Sequence, residues 1–228
     1  MRLKRYLFLF SFSLFLTPAF SQTKDLGSWM TFSLDKGITN KFSFNFDQEL
    51  RLKDNISNIN LLYTNLGLSY KATKFLKVSV VYRFIDKHKG DDTYGVRSRL
   101  YTDFAFKVKP GKWSLGYRAR FQEEWRQAGY HSDLGNMPEI YLRNLFKFSY
   151  KLTDHFSPYV GAELRWQLQN PRLPYANGFD RCRLFAGTDY KINDKFTAGT
   201  YFLFQKEFNV ADPQTLYIIG LEFGISLD

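Results

Sequence analysis

From residue 42 to residue 52, apolar and polar side chains alternate almost without fault. Phe42, Phe44, Phe46, Leu50 and Leu52 share one parity, with Gln48 as its only polar member, and Ser43, Asn45, Asp47, Glu49 and Arg51 share the other. Successive side chains of a strand point to opposite faces, so this segment has one greasy side and one wet side. The pattern recurs. Leu76, Val78, Val80, Tyr82 and Phe84 oppose Lys77, Ser79 and Arg83, and Leu100, Phe104 and Phe106 oppose Arg97, Arg99, Tyr101, Asp103 and Lys107. Trp113, Leu115, Tyr117 and Phe121 oppose Arg118, Arg120 and Gln122, Phe146 and Phe148 oppose Arg143 and Lys147, and Val160, Leu164 and Trp166 oppose Glu163 and Arg165.

Eleven such segments are expected, at 26–35, 42–52, 60–71, 75–86, 95–108, 113–126, 139–152, 156–168, 179–191, 196–208 and 215–227. Most are longer than ordinary globular strands and suit a tilted bilayer crossing. The fold class read from them is all-β, an antiparallel up-and-down transmembrane β-barrel of 10–12 strands. Single-chain bacterial barrels have even strand counts. The segments from 42 onward make ten crossings, which leaves 26–35 as an extra strand or a lumenal segment, or implies a twelfth strand. A soluble sandwich, propeller or lipocalin fits less well, because Phe and Tyr crowd one face while Arg, Lys and Glu crowd the other in nearly every strand. A lipocalin would place the apolar face inside.

Composition agrees. Of 228 residues, 24 are Phe, 15 Tyr and 4 Trp, yet 24% are charged. The mean hydropathy of -0.36 excludes a polytopic helical membrane protein. Residues 1–21 have the zones of a secretory signal: Arg2, Lys4 and Arg5, the apolar run Tyr6–Leu16, and Ala19-Phe20-Ser21 before Gln22. No Cys follows that run, which argues against a lipid anchor. Residues 22–228 would then form a single barrel domain holding 29 basic and 22 acidic residues, a net +7. Export makes nucleic acid an improbable partner. Cys182 is the only cysteine, so no intrachain disulfide can form.

Short turns alternate with looser connections. Tyr70-Lys71, Tyr150-Lys151 and Tyr190-Lys191 each lead through a few polar residues to Phe75, Phe156 and Phe196, and Pro110-Gly111 precedes Trp113. Longer polar stretches are expected at 53–58, 86–93, 127–138, 169–178 and 209–214. This asymmetry, with aromatics beside the short turns, is that of an outer-membrane barrel with an interfacial girdle.

Asp25-Leu26-Gly27-Ser28-Trp29, the Gln48-Glu49-Leu50-Arg51 strand end, and the Tyr-Lys-turn-Phe hairpins ending in Gly220-Leu221-Glu222-Phe223 together resemble the DUF2490 family of bacterial outer-membrane β-barrels. The resemblance implies a Gram-negative outer-membrane location and transfers no activity or catalytic residue. Phe223, Ile225 and Leu227 alternate as a signal for the barrel assembly machinery should, although Asp228 stands where an aromatic usually ends the strand. The other expected partner is outer-membrane lipid, and the barrel is expected to be a monomer.

On the barrel reading, the polar face gathers Arg83, Arg97, Arg99, Arg118, Arg120, Arg143, Arg165, Arg181 and Arg183 in the lumen. Facing them are Asp47, Glu49, Asp103, Glu124, Glu163, Asp189 and Glu207. Two outcomes stand open: a packed network of Arg–carboxylate pairs, or a narrow path preferring anions. A barrel of about eight strands is filled by its side chains and aqueous channels appear near 16, which favours the packed network.

The rival classes are a rim-located lipid-modifying enzyme, with His131 and Ser132 as its only candidates, and a barrel binding partners through loops 127–138 and 169–178. His88, His131 and His155 all fall in expected loops or turns. His131-Ser132-Asp133 has triad residue types, but triads are defined by geometry rather than by adjacency. No metal-ligand spacing or phosphate loop is present, and no cofactor is expected; Asp86, Asp91 and Asp92 form at most a weak calcium motif. Cys182 is expected to face lipid as a filler. Gly161, Gly187, Gly199 and Gly220 are expected to relieve crowding in the lumen.

Overall fold

The computed structural model describes residues 24–88, 94–126, 137–171, 173, 177–210 and 212–227. Eleven strands form, each close to its expected span: β1 (Lys24–Gly37), β2 (Phe42–Lys53), β3 (Asn58–Lys71), β4 (Leu76–His88), β5 (Tyr94–Val108) and β6 (Trp113–Arg126). They are followed by β7 (Glu139–Tyr150), β8 (Phe156–Gln169), β9 (Gly178–Lys191), β10 (Phe196–Glu207) and β11 (Thr215–Leu227). Consecutive strands pair antiparallel, and β11 returns to β1 to close the barrel.

Eleven strands fall within the expected 10–12, and the wall is antiparallel at every pair but one. Of the two readings of residues 26–35, the extra strand holds and the lumenal segment does not: β1 is a full wall strand and pairs with β11 in parallel from Lys24↔Thr215 to Lys36↔Leu227. The reason is geometric. Up-and-down strands alternate in direction, so an odd number can close only through one parallel pair. A ten-strand wall would leave β1, with its own row of amides and carbonyls, without a ladder. On a Cys182→Ser background, Met30→Cys with Leu221→Cys should therefore cross-link on oxidation, because the two are register partners on the outer face. A ten-strand closure would separate them and give no cross-linked band.

The parallel pair also puts the start of β1 at the end of the barrel where the looser connections lie. Asp25 accepts backbone hydrogen bonds from Asp54 (3.0 Å) and Asn55 (2.9 Å) of the β2–β3 connection, and Ile56 N donates to Leu26 O at 3.1 Å. That connection is shorter than expected. Asp54, Asn55 and Ile56 take left-handed φ values of 55°, 57° and 68°, so the chain reverses over residues 54–57 alone.

At the opposite end one device repeats. Thr39 Oγ1, Thr73 Oγ1 and Thr153 Oγ1 each accept from the backbone N–H three residues on, at 3.0 Å, and Asn193 Oδ1 does so at 2.9 Å. Such side-chain-to-backbone bonds satisfy the turn's own donors. Asp154 and Asp194 sit in two of these turns against Lys151 and Lys191, whose hydrogen bonds hold both carboxyls below the usual aspartate value of 3.8. The effect on folding is complete above that value and fades as pH falls through the lower folded-state one. An NMR titration of Asp154 in the folded barrel should give a midpoint below 3.8.

The outer wall carries the apolar parity: Leu66, Leu68, Val80, Phe84, Phe104, Phe146, Val160 and Phe202 are all exposed. Beside the short turns, outward rings pair across strands, including Phe42 with Tyr70 (4.9 Å between centroids) and Trp113 with Tyr150 (4.4 Å). Inside, glycines admit large neighbours. The Phe185 ring fills the space at Gly161, and the Tyr201 ring lies over Gly220. Cys182 is unpaired and partly buried at the outward register position opposite Leu164.

Candidate functional site: a guanidinium belt and a cup

One inward residue from each strand builds a belt at mid height. The Arg51 guanidinium stacks on the Trp29 ring at 3.6 Å, Arg83 on Tyr63 at 3.5 Å, and Arg120 on Tyr101 at 3.7 Å. Aromatic and guanidinium thus alternate from β1 through β6, each planar cation capped by a ring face. On the other side of the barrel a carboxylate replaces the ring. Glu163 of β8 receives Arg118 (2.9 Å), Arg143 (2.6 Å) and Arg183 (3.0 Å). Arg183 also donates to Gln205 of β10 at 2.8 Å, and Ile218 of β11 packs with Leu203 and Trp29 to complete the circuit.

Carboxylates hold the belt to the wall. Arg120 meets Asp103 through both oxygens (2.6 and 2.7 Å), and Glu49 is bound by Arg51, by the Tyr63 hydroxyl (2.6 Å) and by Thr31 (2.9 Å). Glu124 takes both Arg97 (3.1 Å) and Arg99 (2.5 Å). Arg83 alone has no carboxylate among the described residues; it donates to Asn65 at 2.7 Å. The belt is largely packed away from solvent, although the Arg51 and Arg118 side chains keep 17% and 26% exposure. Tyr63, Arg83, Tyr101, Arg120, Glu163 and Arg183 are each at most 8% exposed.

Above the belt the lumen opens into a cup of about 980 Å³ at the end of the looser connections. Its wall carries the fork–fork pair of Arg165 with Asp180 (2.8 and 2.6 Å), Arg181 with Glu207 (2.5 Å) and Arg126 with Glu139 (2.7 Å). Among the described residues, nine cationic side chains line it against six carboxylates. Of the residues expected in the lumen network, Glu49, Arg83, Arg118, Arg120, Arg143 and Glu163 meet in the belt, Arg97, Arg165, Arg181 and Glu207 line the cup, and Arg99 and Arg183 join the two; Asp103 and Glu124 pair with Arg120 and Arg99, while Asp47 accepts from Asn65 and Asp189 from Lys147.

Sequence reasoning placed Arg51 and Tyr101 on the polar face without assigning them to the lumen network, and it did not place Trp29, Tyr63 or Asp180 there either. The first four sit in clean alternation and could have been read from parity. Asp180 could not, because a register shift between Arg165 and Trp166 turns both Asp180 and Arg181 toward the lumen.

A model of proteins of unknown function, DUF2490, matches residues 26–215. The chain belongs to the DUF2490 family. Among solved structures, this DUF2490 barrel is similar to a protein described as a bacterial polysaccharide outer membrane secretin, with a TM-score of 0.51 at 14% identity. The likeness covers 79% of this chain and 63% of the other, so the barrel spans less than two thirds of that protein's length, and it is a likeness of fold. No curated protein matches the chain.

His131, Ser132, Asp91 and Asp92 lie outside the described residues, as do residues 127–136 of one loop considered for partner binding and residues 172 and 174–176 of the other. His88, expected in a loop, ends β4 instead, because the ladder with β5 runs on to His88↔Tyr94. His155 is in its turn, where Nδ1 lies 2.7 Å from Lys191 O. Among the described residues no group of three or more metal-ligating side chains comes together.

Proposed function

We propose that this DUF2490 protein is an outer-membrane barrel that does not conduct, its lumen stoppered at mid height by the guanidinium belt and its chemistry confined to the cup above. The burial of most of the belt carries the reading: Glu163 at 4% and Arg83 at 6% exposure are packed away from solvent, and Arg118 is the wettest of the belt's ion-paired arginines at 26%. Packed Arg–carboxylate pairs, each with further hydrogen bonds, are stable there because separating one would leave a bare charge in a low-dielectric wall. The outer-membrane placement rests on the apolar outer face with its aromatic rim and on the fold shared with a polysaccharide outer membrane secretin. In this reading residues 1–21 are a cleaved signal, lipid and the assembly machinery are the barrel's partners, and it works as a monomer.

Planar-bilayer recording tests it. Refolded protein, checked by its heat-modifiable gel mobility, is expected to insert without current steps. Discrete steps with anion preference, reduced by Arg99→Glu or Arg120→Glu, would instead establish an open basic channel.

A further inference from the structure

We infer that the floor of the cup is a binding site for an oxyanion, a phosphate- or carboxylate-bearing molecule with more than one negative group. Three observations converge there. First, Arg51, Arg99 and Arg183 line the cavity while also belonging to the belt, so their guanidiniums stand where packed protein meets open space. Second, carboxylates at this level are too few. Glu163 is divided among three arginines and Glu124 between two, while Arg183 lies in the repulsive field of Arg51, Arg143 and Arg181. Third, donors are left over. Among the described residues, the Nε–H groups of Arg126 and Arg181, both on cup-lining residues, are buried without a hydrogen-bond partner, and Lys87 has no carboxylate at ion-pair distance.

Buried donors without acceptors and cations in excess are each unfavourable, and an oxyanion relieves both at once. The enclosed shape strengthens the attraction, since low-dielectric walls focus the field of the lining charges. A cup of about 980 Å³ is far larger than one phosphate, and its cations come from several strands, so a ligand carrying several anionic groups engages more of them. Guanidinium forks match phosphate and carboxylate geometry equally well.

The site rests on the cup described above but not on the lumen being stoppered, so binding is read on refolded protein in detergent and conductance separately in a bilayer. Equilibrium dialysis against inorganic phosphate, tripolyphosphate and trigalacturonate is the test. Tripolyphosphate or trigalacturonate is expected to bind at least about tenfold tighter than phosphate, and which of the two wins tells a phosphoryl ligand from a carboxylated saccharide. Arg99→Gln and Arg183→Gln should each weaken binding about tenfold, by removing a charge-assisted pair. Should either fail to fold, Lys87→Gln, which lies outside the belt, carries the same test with a smaller loss. Lys109→Gln, in a turn at the far end, should change nothing. Absence of binding by all three anions at about 10 mM, or equal binding by wild type and all cup variants, overturns the site.

Discussion

Replacing Glu163 by Gln should destabilise the refolded barrel by about 3–5 kcal/mol, the range for breaking a buried charge network by removing one partner. Arg118, Arg143 and Arg183 all terminate on this carboxylate at 2.6–3.0 Å. The isosteric amide keeps the volume and removes the charge, so Arg143 and Arg183 would lose their paired carboxylate and Arg118 would be left with the field of Asp103. Against a total of about 5–15 kcal/mol for an ordinary domain, such a loss is large enough to read as a shifted urea midpoint. Removing one arginine should be milder, because Glu163 keeps two others. Combining Glu163→Gln with Arg143→Gln should recover part of the loss, the signature of coupled partners in a double-mutant cycle. A Glu163→Gln barrel as stable as wild type would mean that the belt is not a structural stopper.

The second large effect concerns the lumenal glycines. Gly220 faces Tyr201 directly across the β10–β11 ladder, and a Cβ there would fall 2.0 Å from the Tyr201 ring. Gly220→Ala should cost about 1–3 kcal/mol as an overpacked interior, and Tyr201→Ala in the same chain should relieve the clash. Gly161 should behave differently. Its Cβ would meet the Phe185 ring at 2.3 Å and also the Phe146 backbone oxygen at 2.5 Å. Phe185→Ala then removes only one obstacle, so Gly161→Ala should remain destabilising in the double variant. Urea midpoints of the four proteins separate the cases. Equal rescue at both positions would show that the β7–β8 backbone yields where the packing says it cannot.

These two sites also show how unevenly the molecule can be read from its residues. The inward position of Gly161 and Gly220 follows from counting parity along each strand, as does that of Glu163 and the arginines around it. Which ring fills which gap does not follow, because Tyr201 reaches Gly220 through a register that only pairing across strands sets. Likewise, parity brings nine arginines inside, but it cannot say that Glu163 serves three of them or that Arg83 lies on Tyr63 rather than on a carboxylate. Arg51 and Trp29 were within reach of the same count. Asp180 was not, since the register shift in the β8–β9 ladder breaks the parity on which the count depends.

Alternation every second residue, over segments longer than globular strands, was enough to determine an all-β wall with an apolar exterior and a charged interior. That pattern is local, because a strand's two faces are defined by its own backbone. Strand number and closure were not local. An eleventh strand reads the same whether it completes the wall or stands apart. Only the tertiary structure decided that β1 pairs with β11 in parallel, because the choice lies in hydrogen bonds between segments nearly the whole chain apart. The same holds for the lumen. Sequence places the charges inside, and the shear of the closed ladder decides that they meet as a packed belt with a cup above it.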